Sequence, residues 1–191
     1  FVLLGILNSQ AAGTGGGVRA YDYLDTVDFD GTTSSTTISG LDSYTDYEDL
    51  EFRFSAGTTF NFGVNVGLDI TINSISSNDY FSGIMNSSDG SNPNTSVSME
   101  KAYWRLNTAF PAIAPNPSVG YILFTLNDFL DTSSRRNYNA IRGYFNPDGN
   151  AVGSSGGLLD LTNAISSLTL TIGAGNFSNG SKIDIFGIKA A

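Results

Sequence analysis

Along much of the chain, apolar and polar residues alternate with a period of two. Val64, Val66, Leu68, Ile70 and Ile72 are interleaved with Asn65, Gly67, Asp69, Thr71 and Asn73. Leu50, Phe52 and Phe54 alternate with Glu51, Arg53 and Ser55, and Ala102, Trp104 and Leu106 with Lys101, Tyr103 and Arg105. Leu168, Leu170 and Ile172 repeat the pattern against Thr169 and Thr171. Successive side chains of a strand point to opposite faces, so each run predicts a strand with one apolar face. A looser run, Tyr21, Tyr23, Val27 and Phe29, is interrupted by Asp25. Residues 119–126 are nearly all apolar, which predicts a central strand covered on both faces, the second cover being a neighbouring subunit in an oligomer. Residues 138–145 predict a further strand, ended by the turn Asn146-Pro147-Asp148-Gly149.

Gly, Ser, Asn and Pro clusters separate these runs, and a 3.6-residue period is almost missing. The reading is an all-β, jelly-roll-like antiparallel β-sandwich of about nine or ten strands with little helix. The best helical candidate is residues 158–165, about two turns long. Residues 86–98 read as a polar spacer loop. The apolar residues 1–7 predict a first strand, joined by the Gly-rich connector 13–17 to the rest. All 191 residues are expected to form a single domain, with 1–17 as that strand and connector.

Charge narrows the function classes. Eighteen acidic residues face nine basic ones, for a net charge of −9. Binding to phosphates requires clustered Lys and Arg, and the densest basic spot is Arg135, Arg136 and Arg142. Neither nucleic acid nor an anionic membrane surface is an expected partner. No apolar run approaches the length of about 18 residues that a spanning helix needs.

The chain contains no His and no Cys, so imidazole-based triads, thiol nucleophiles and thiolate metal sites are excluded. The glutamates are Glu48, Glu51 and Glu100, few for a glycosidase built on paired carboxylates. Glu51 and Arg53 read as surface charge. The one metal-like cluster is Asp22, Asp25, Asp28 and Asp30 before Gly31, a calcium candidate because that ion favours several oxygens from a turning loop. A solvated acidic face explains the same residues. Tyr44, Tyr47, Tyr80, Phe81 and Tyr103 are candidates for a subunit interface or a glycan platform, because aromatic faces serve both.

The end of the chain carries the most recognisable pattern. Ala164-Ile165-Ser166-Ser167-Leu168-Thr169-Leu170 leads to Asn176-Phe177-Ser178-Asn179-Gly180-Ser181 and then Ile183-Asp184-Ile185-Phe186-Gly187-Ile188. It resembles the C-terminal signature of small virion structural proteins of tailed bacteriophages, of the marine and cyanobacterial phage type. Those proteins usually have Leu-Tyr-Gly where this chain has Ile185-Phe186-Gly187. Ile38-Ser39-Gly40-Leu41 and Tyr47-Glu48-Asp49-Leu50-Glu51-Phe52-Arg53 are similar to an upstream stretch of the same family.

The pattern also has a physical reading: a Gly- and Asn-rich closure of a long hairpin, Phe177 plugging its base, and Gly187 permitting a close approach. The resemblance implies a jelly-roll protein on the outside of the virion, as capsid decoration or as a fibre or tail appendage. Its implied partners are itself, as a homotrimer, and other virion proteins. It implies no cofactor and no catalytic residues. The alternatives are a carbohydrate-binding module or a receptor-binding fibre tip that recognises a host surface glycan, and, less favoured, a polysaccharide-degrading enzyme.

Overall fold

The alternating runs become strands whose apolar faces close on one another. The computed structural model describes residues 20–60, 66–77, 79–88, 94–101, 103–110, 120–146 and 149–189. The strand expected at 1–7 and the connector at 13–17 lie outside them. In chain order the strands are β1 (Tyr21–Asp28), β2 (Ser35–Ser39), β3 (Asp49–Ala56), β4 (Val66–Ile72), β5 (Tyr80–Ser88) and β6 (Asn94–Lys101). There follow β7 (Trp104–Phe110), β8 (Gly120–Asn127), β9 (Arg136–Asn146), β10 (Gly149–Leu159), β11 (Ser167–Ile172) and β12 (Lys182–Ile188). The only helical element among the described residues is a single 3-10 turn, Leu41–Ser43. The described residues hold twelve strands, beside the nine or ten expected.

They form an eight-stranded sheet, β1-β12-β3-β8-β9-β10-β5-β6, and a four-stranded sheet, β2-β11-β4-β7. Without the hairpins β5–β6 and β9–β10, the orders reduce to β1-β12-β3-β8 and β2-β11-β4-β7. The pairs β1·β12, β2·β11, β3·β8 and β4·β7 are nested, as in one long hairpin rolled into two sheets. That is the jelly-roll wrapping. The hairpin β9–β10 enters between β8 and β11, and β5–β6 between β4 and β7. Both are added to the same sheet, beside β8.

The core lies between the sheets. Phe52 and Phe54 of β3, Leu68, Ile70 and Ile72 of β4, Ile122 and Phe124 of β8, and Leu168 and Leu170 of β11 are buried. Trp104 of β7 sits at the centre of an aromatic cluster, with ring centroids 4.4 Å from Tyr138 and 5.5 Å from Tyr80. Its indole N–H donates to the Leu158 carbonyl at 3.2 Å, which ties the added hairpin to the opposite sheet. Gly157 makes this approach possible, because a Cβ there would lie 2.4 Å from the Tyr138 ring and 2.3 Å from the Phe81 carbonyl oxygen.

Several expectations change. Residues 158–165 are not a helix: Leu158 and Leu159 end β10, and the loop that follows is pinned by the Ile165 N–H donating to the Phe129 carbonyl. Their apolar residues anchor a loop to the core. The described parts of the segment 86–98 are not a spacer: Asn86–Ser88 complete β5, and Asn94–Ser98 pair with it as β6, while 89–93 lie outside the described residues. Ser and Thr suit a pleated strand as well as a loop, so polarity alone misplaced this segment. The residues before β12 do not close a hairpin either, since β11 and β12 belong to different sheets. Residues 173–181 cross the sandwich, and Phe177 plugs the crossing, stacked on Phe29 at 4.1 Å. Gly187 does permit a close approach, with Tyr47 lying over it.

Candidate binding surfaces on the outer sheet face

The continuous apolar run predicted for β8 has a simple structural meaning. Ile122, Phe124 and Leu126 enter the core, while Tyr121, half exposed, and Leu123 face outward. The second cover expected over this strand is not supplied by the described chain. Its neighbours continue the same surface. β9 turns Asn137, Asn139, Ile141 and Gly143 outward, and β10 turns Val152, Ser154, Gly156 and Leu158 outward. β5 adds Phe81, Gly83 and Met85. Ile141 is 59% exposed and Val152 60%. No outward position of these four strands carries a charge.

Cross-strand register turns this surface into ridges and a hollow. Leu158 lies opposite Phe81, and Ser154 opposite Met85. Between those rows Gly156 lies opposite Gly83, so the sheet has no side chains there. The result is an open hollow of about 520 Å³ bordered by Phe81, Leu158 and Arg135, with Gly83 and Gly156 in its floor. Arg135 is held at the rim by Asp160, through contacts of 3.0 and 3.1 Å. No carboxylate lines the hollow.

The other half of the same face is charged and aromatic. Tyr21 and Tyr23 of β1 are more than half exposed. The Arg53 guanidinium sits 4.1 Å from the centre of the Phe186 ring and donates to Glu51 at 2.7 Å. Glu51 points outward, as expected, but is only 4% exposed, because the neighbouring side chains cover it. Lys182 and Asp184 pair at 2.8 Å on the same strand as Phe186, and each holds the other in its charged form.

The aromatic candidates are scattered. Only Phe81 borders the hollow. Tyr80, its neighbour in sequence, faces the other way and is buried; its hydroxyl accepts from the Ile72 N–H at 2.8 Å and donates to the Ile75 carbonyl at 3.1 Å. Burial raises its pKa. Tyr80 is therefore a core residue and not part of a platform. Tyr44 and Tyr47 pack partly buried against the core. The Tyr47 hydroxyl donates to Asp22 at 3.0 Å. Tyr103 is partly exposed beside the Arg105 guanidinium, 4.9 Å from its ring centre.

The four aspartates of the calcium candidate are not gathered. Asp22 is engaged by Lys189 at 2.8 Å, and that hydrogen bond, with the one from Tyr47, lowers its pKa. Asp25 accepts from the Thr26 N–H, and Asp30 closes a local turn with the Thr32 N–H and hydroxyl. Asp22 and Asp28 stand near the two ends of β1, about 20 Å apart at the rise of an extended strand. Among the described residues no three acidic side chains are grouped as a metal ion would need.

One polar cluster was not visible in the sequence. Arg142 and Tyr138 of β9 point inward toward Ser155 and Ser82, and all four are buried. Arg142 donates to the Ser155 hydroxyl at 3.3 Å. The Tyr138 hydroxyl reaches no partner in hydrogen-bonding geometry, and burial pushes its pKa up to about 12. Alternation within residues 138–145 marks Tyr138 and Arg142 as sharing a face, but not which face is inside.

No family model, curated protein or solved structure matches the chain.

Proposed function

We propose that this protein is a structural component of the exterior of a bacteriophage particle, as capsid decoration or as a fibre or tail appendage, and that it works by assembly and binding. The observation that carries the proposal is the uncharged apolar surface over β8, β9, β10 and β5, set on a jelly-roll frame. Exposed apolar side chains gathered on one uncharged face are a mark of an interaction site. The C-terminal resemblance supplies the phage context. The partners are further copies, in a homotrimer, and other virion proteins. The decisive experiment is labelling of purified particles with an antibody to this chain, followed by imaging. A symmetric location on capsid or tail supports the proposal, and absence from every particle overturns it.

A second reading is favoured by the other half of the face. Exposed Tyr21 and Tyr23, beside Arg53 and Phe186, combine flat aromatic surface with a hydrogen-bonding cation, which suits a sugar ring. On this reading the domain is a carbohydrate-binding module or the receptor-binding tip of a fibre. Binding on a glycan array that is lost in Tyr23→Ala would support it. No binding to any glycan would remove it.

A further inference from the structure

We infer that the uncharged half of the outer face is a self-association surface, on which a second copy of this chain docks sheet to sheet. The inference rests on the assembly reading above, with a two-fold pair of chains in place of the homotrimer, and names the surface and the occupant.

Charge is the first argument. With a net charge of −9, two copies repel one another over most approaches. The outward positions of β8, β9, β10 and β5 carry no charge, whereas those of β12 and β3 carry Lys182, Asp184, Glu51 and Arg53. A like-charged copy is therefore best tolerated on the neutral half, where the ions at the hollow, Arg135 and Asp160, are already paired with each other.

Shape is the second argument. A two-fold contact requires a surface complementary to itself, so that each copy offers both the knob and the hole. This face does so. The ridge Leu158–Phe81 and the projecting Met85 and Ile141 lie beside the hollow floored by Gly83 and Gly156. A hollow of about 520 Å³ is large enough to receive side chains of that size from the facing copy.

Area is the third argument. Four strands about 4.8 Å apart, each exposing a length of roughly 25 Å, give a footprint of about 500 Å² per copy. Two such faces bury about 1,000 Å², the lower bound for a specific interface.

The test is sedimentation of the intact purified chain over a concentration series. Three variants accompany it. Ile141→Lys places a charge at the centre of the face. Gly83→Trp fills the hollow, and a Cβ at Gly83 meets nothing within 4 Å, so the monomer accommodates it. Tyr23→Lys lies on the charged half as a control. The wild type and Tyr23→Lys are expected to associate, with Ile141→Lys and Gly83→Trp weakened by at least ~30-fold, as for a central interface residue. Circular dichroism confirms that each variant is folded. A wild type that remains monomeric up to about 500 µM overturns the inference. So does a folded Ile141→Lys and Gly83→Trp pair that associates as well as the wild type. Either result leaves the particle location, read by imaging, untouched.

Discussion

Gly187→Ala should cost far more than one methyl group on a strand usually does. Gly187 lies in β12, hydrogen-bonded between β1 and β3, and a Cβ there would sit 2.4, 2.5 and 2.7 Å from Cδ1, Cγ and Cε1 of Tyr47. Carbon atoms rest at about 3.5–4.0 Å, so the ring or the strand must retreat by more than 1 Å. The strand is fixed by ladders on both sides, so the ring gives way. Overpacking of this kind costs about 1–3 kcal/mol. The shift also breaks the hydrogen bond from Tyr47 to Asp22, which is partly exposed and worth no more than about 1 kcal/mol. The expected loss is about 1–4 kcal/mol, or a fall in Tm of roughly 3–12 °C for a chain of this size. Urea denaturation of the single variants and of Gly187→Ala combined with Tyr47→Ala measures it. If the clash is the cause, the double variant recovers about 1–2 kcal/mol relative to the sum of the singles. A Gly187→Ala protein within about 0.5 kcal/mol of wild type, or strictly additive variants, would refute the reasoning.

Other consequences follow from single side chains. Tyr138→Phe should stay within about 1 kcal/mol of wild type near pH 7 in chemical denaturation, because the buried hydroxyl it removes is poorly placed toward its neighbours Ser155 and Ser82. The Tyr138 hydroxyl titrates at about 12 in the folded chain and near 10 when unfolded. Its contribution is complete below pH 10 and is lost as pH rises toward 12, so the wild type should lose about 3 kcal/mol more than Tyr138→Phe over that window. Equal pH profiles for the two would contradict the assignment. Asn73 has φ of 49° and accepts from the Ser166 and Ser167 N–H groups, at 2.8 and 3.1 Å, while donating to the Ala164 carbonyl. Asn73→Ala should lose about 3 kcal/mol and Asn73→Gly about 1 kcal/mol less, because only glycine accepts that backbone without strain. Trp104→Ala, which empties the aromatic cluster, should cost about 3–5 kcal/mol by denaturant titration.

The strands of the frame were legible because their inward and outward positions differ in polarity. In β3, β4 and β11 the alternation named the buried residues correctly: Phe52 and Phe54, Leu68 and Ile70, Leu168 and Leu170. What misled was any segment whose two faces are alike. β8 is different: it is apolar on both sides, and its pattern implied a second cover from a neighbouring subunit, which the proposed docking of a second copy would supply. β6 begins Asn-Thr-Ser and looks like a loop, yet the cross-strand partners of β5 make it a strand. The proposed binding surface was legible at Phe81 and in the apolar run of β8. Gly83 and Gly156 form the hollow because cross-strand register puts them side by side, although they are 73 positions apart in sequence. Tyr80 and Phe81 were equivalent as aromatics; their opposite orientations on β5 decide that one is core and the other surface.

The unequal sheets bear on why that surface exists. A jelly roll is complete with four strands on each side, and here β1-β12-β3-β8 already faces β2-β11-β4-β7. The hairpins β9–β10 and β5–β6 double one sheet while the other keeps four strands. Ordering each added residue costs about 1–2 kcal/mol of conformational entropy, so an extension must recover that cost by burial or by function. On the inner side it buries Tyr80, Tyr138 and Leu159, together with a polar cluster around Arg142 that is an inefficient source of stability. On the outer side it presents Ile141, Val152 and Leu158 to solvent, where apolar side chains contribute nothing to the isolated fold. Charged residues would be the cheaper choice there, and the β12 and β3 half of the same face uses them. Folding therefore accounts for the inward residues of the hairpins, and the outward Ile141, Val152 and Leu158 are the side chains that the proposed docking of a second copy would cover.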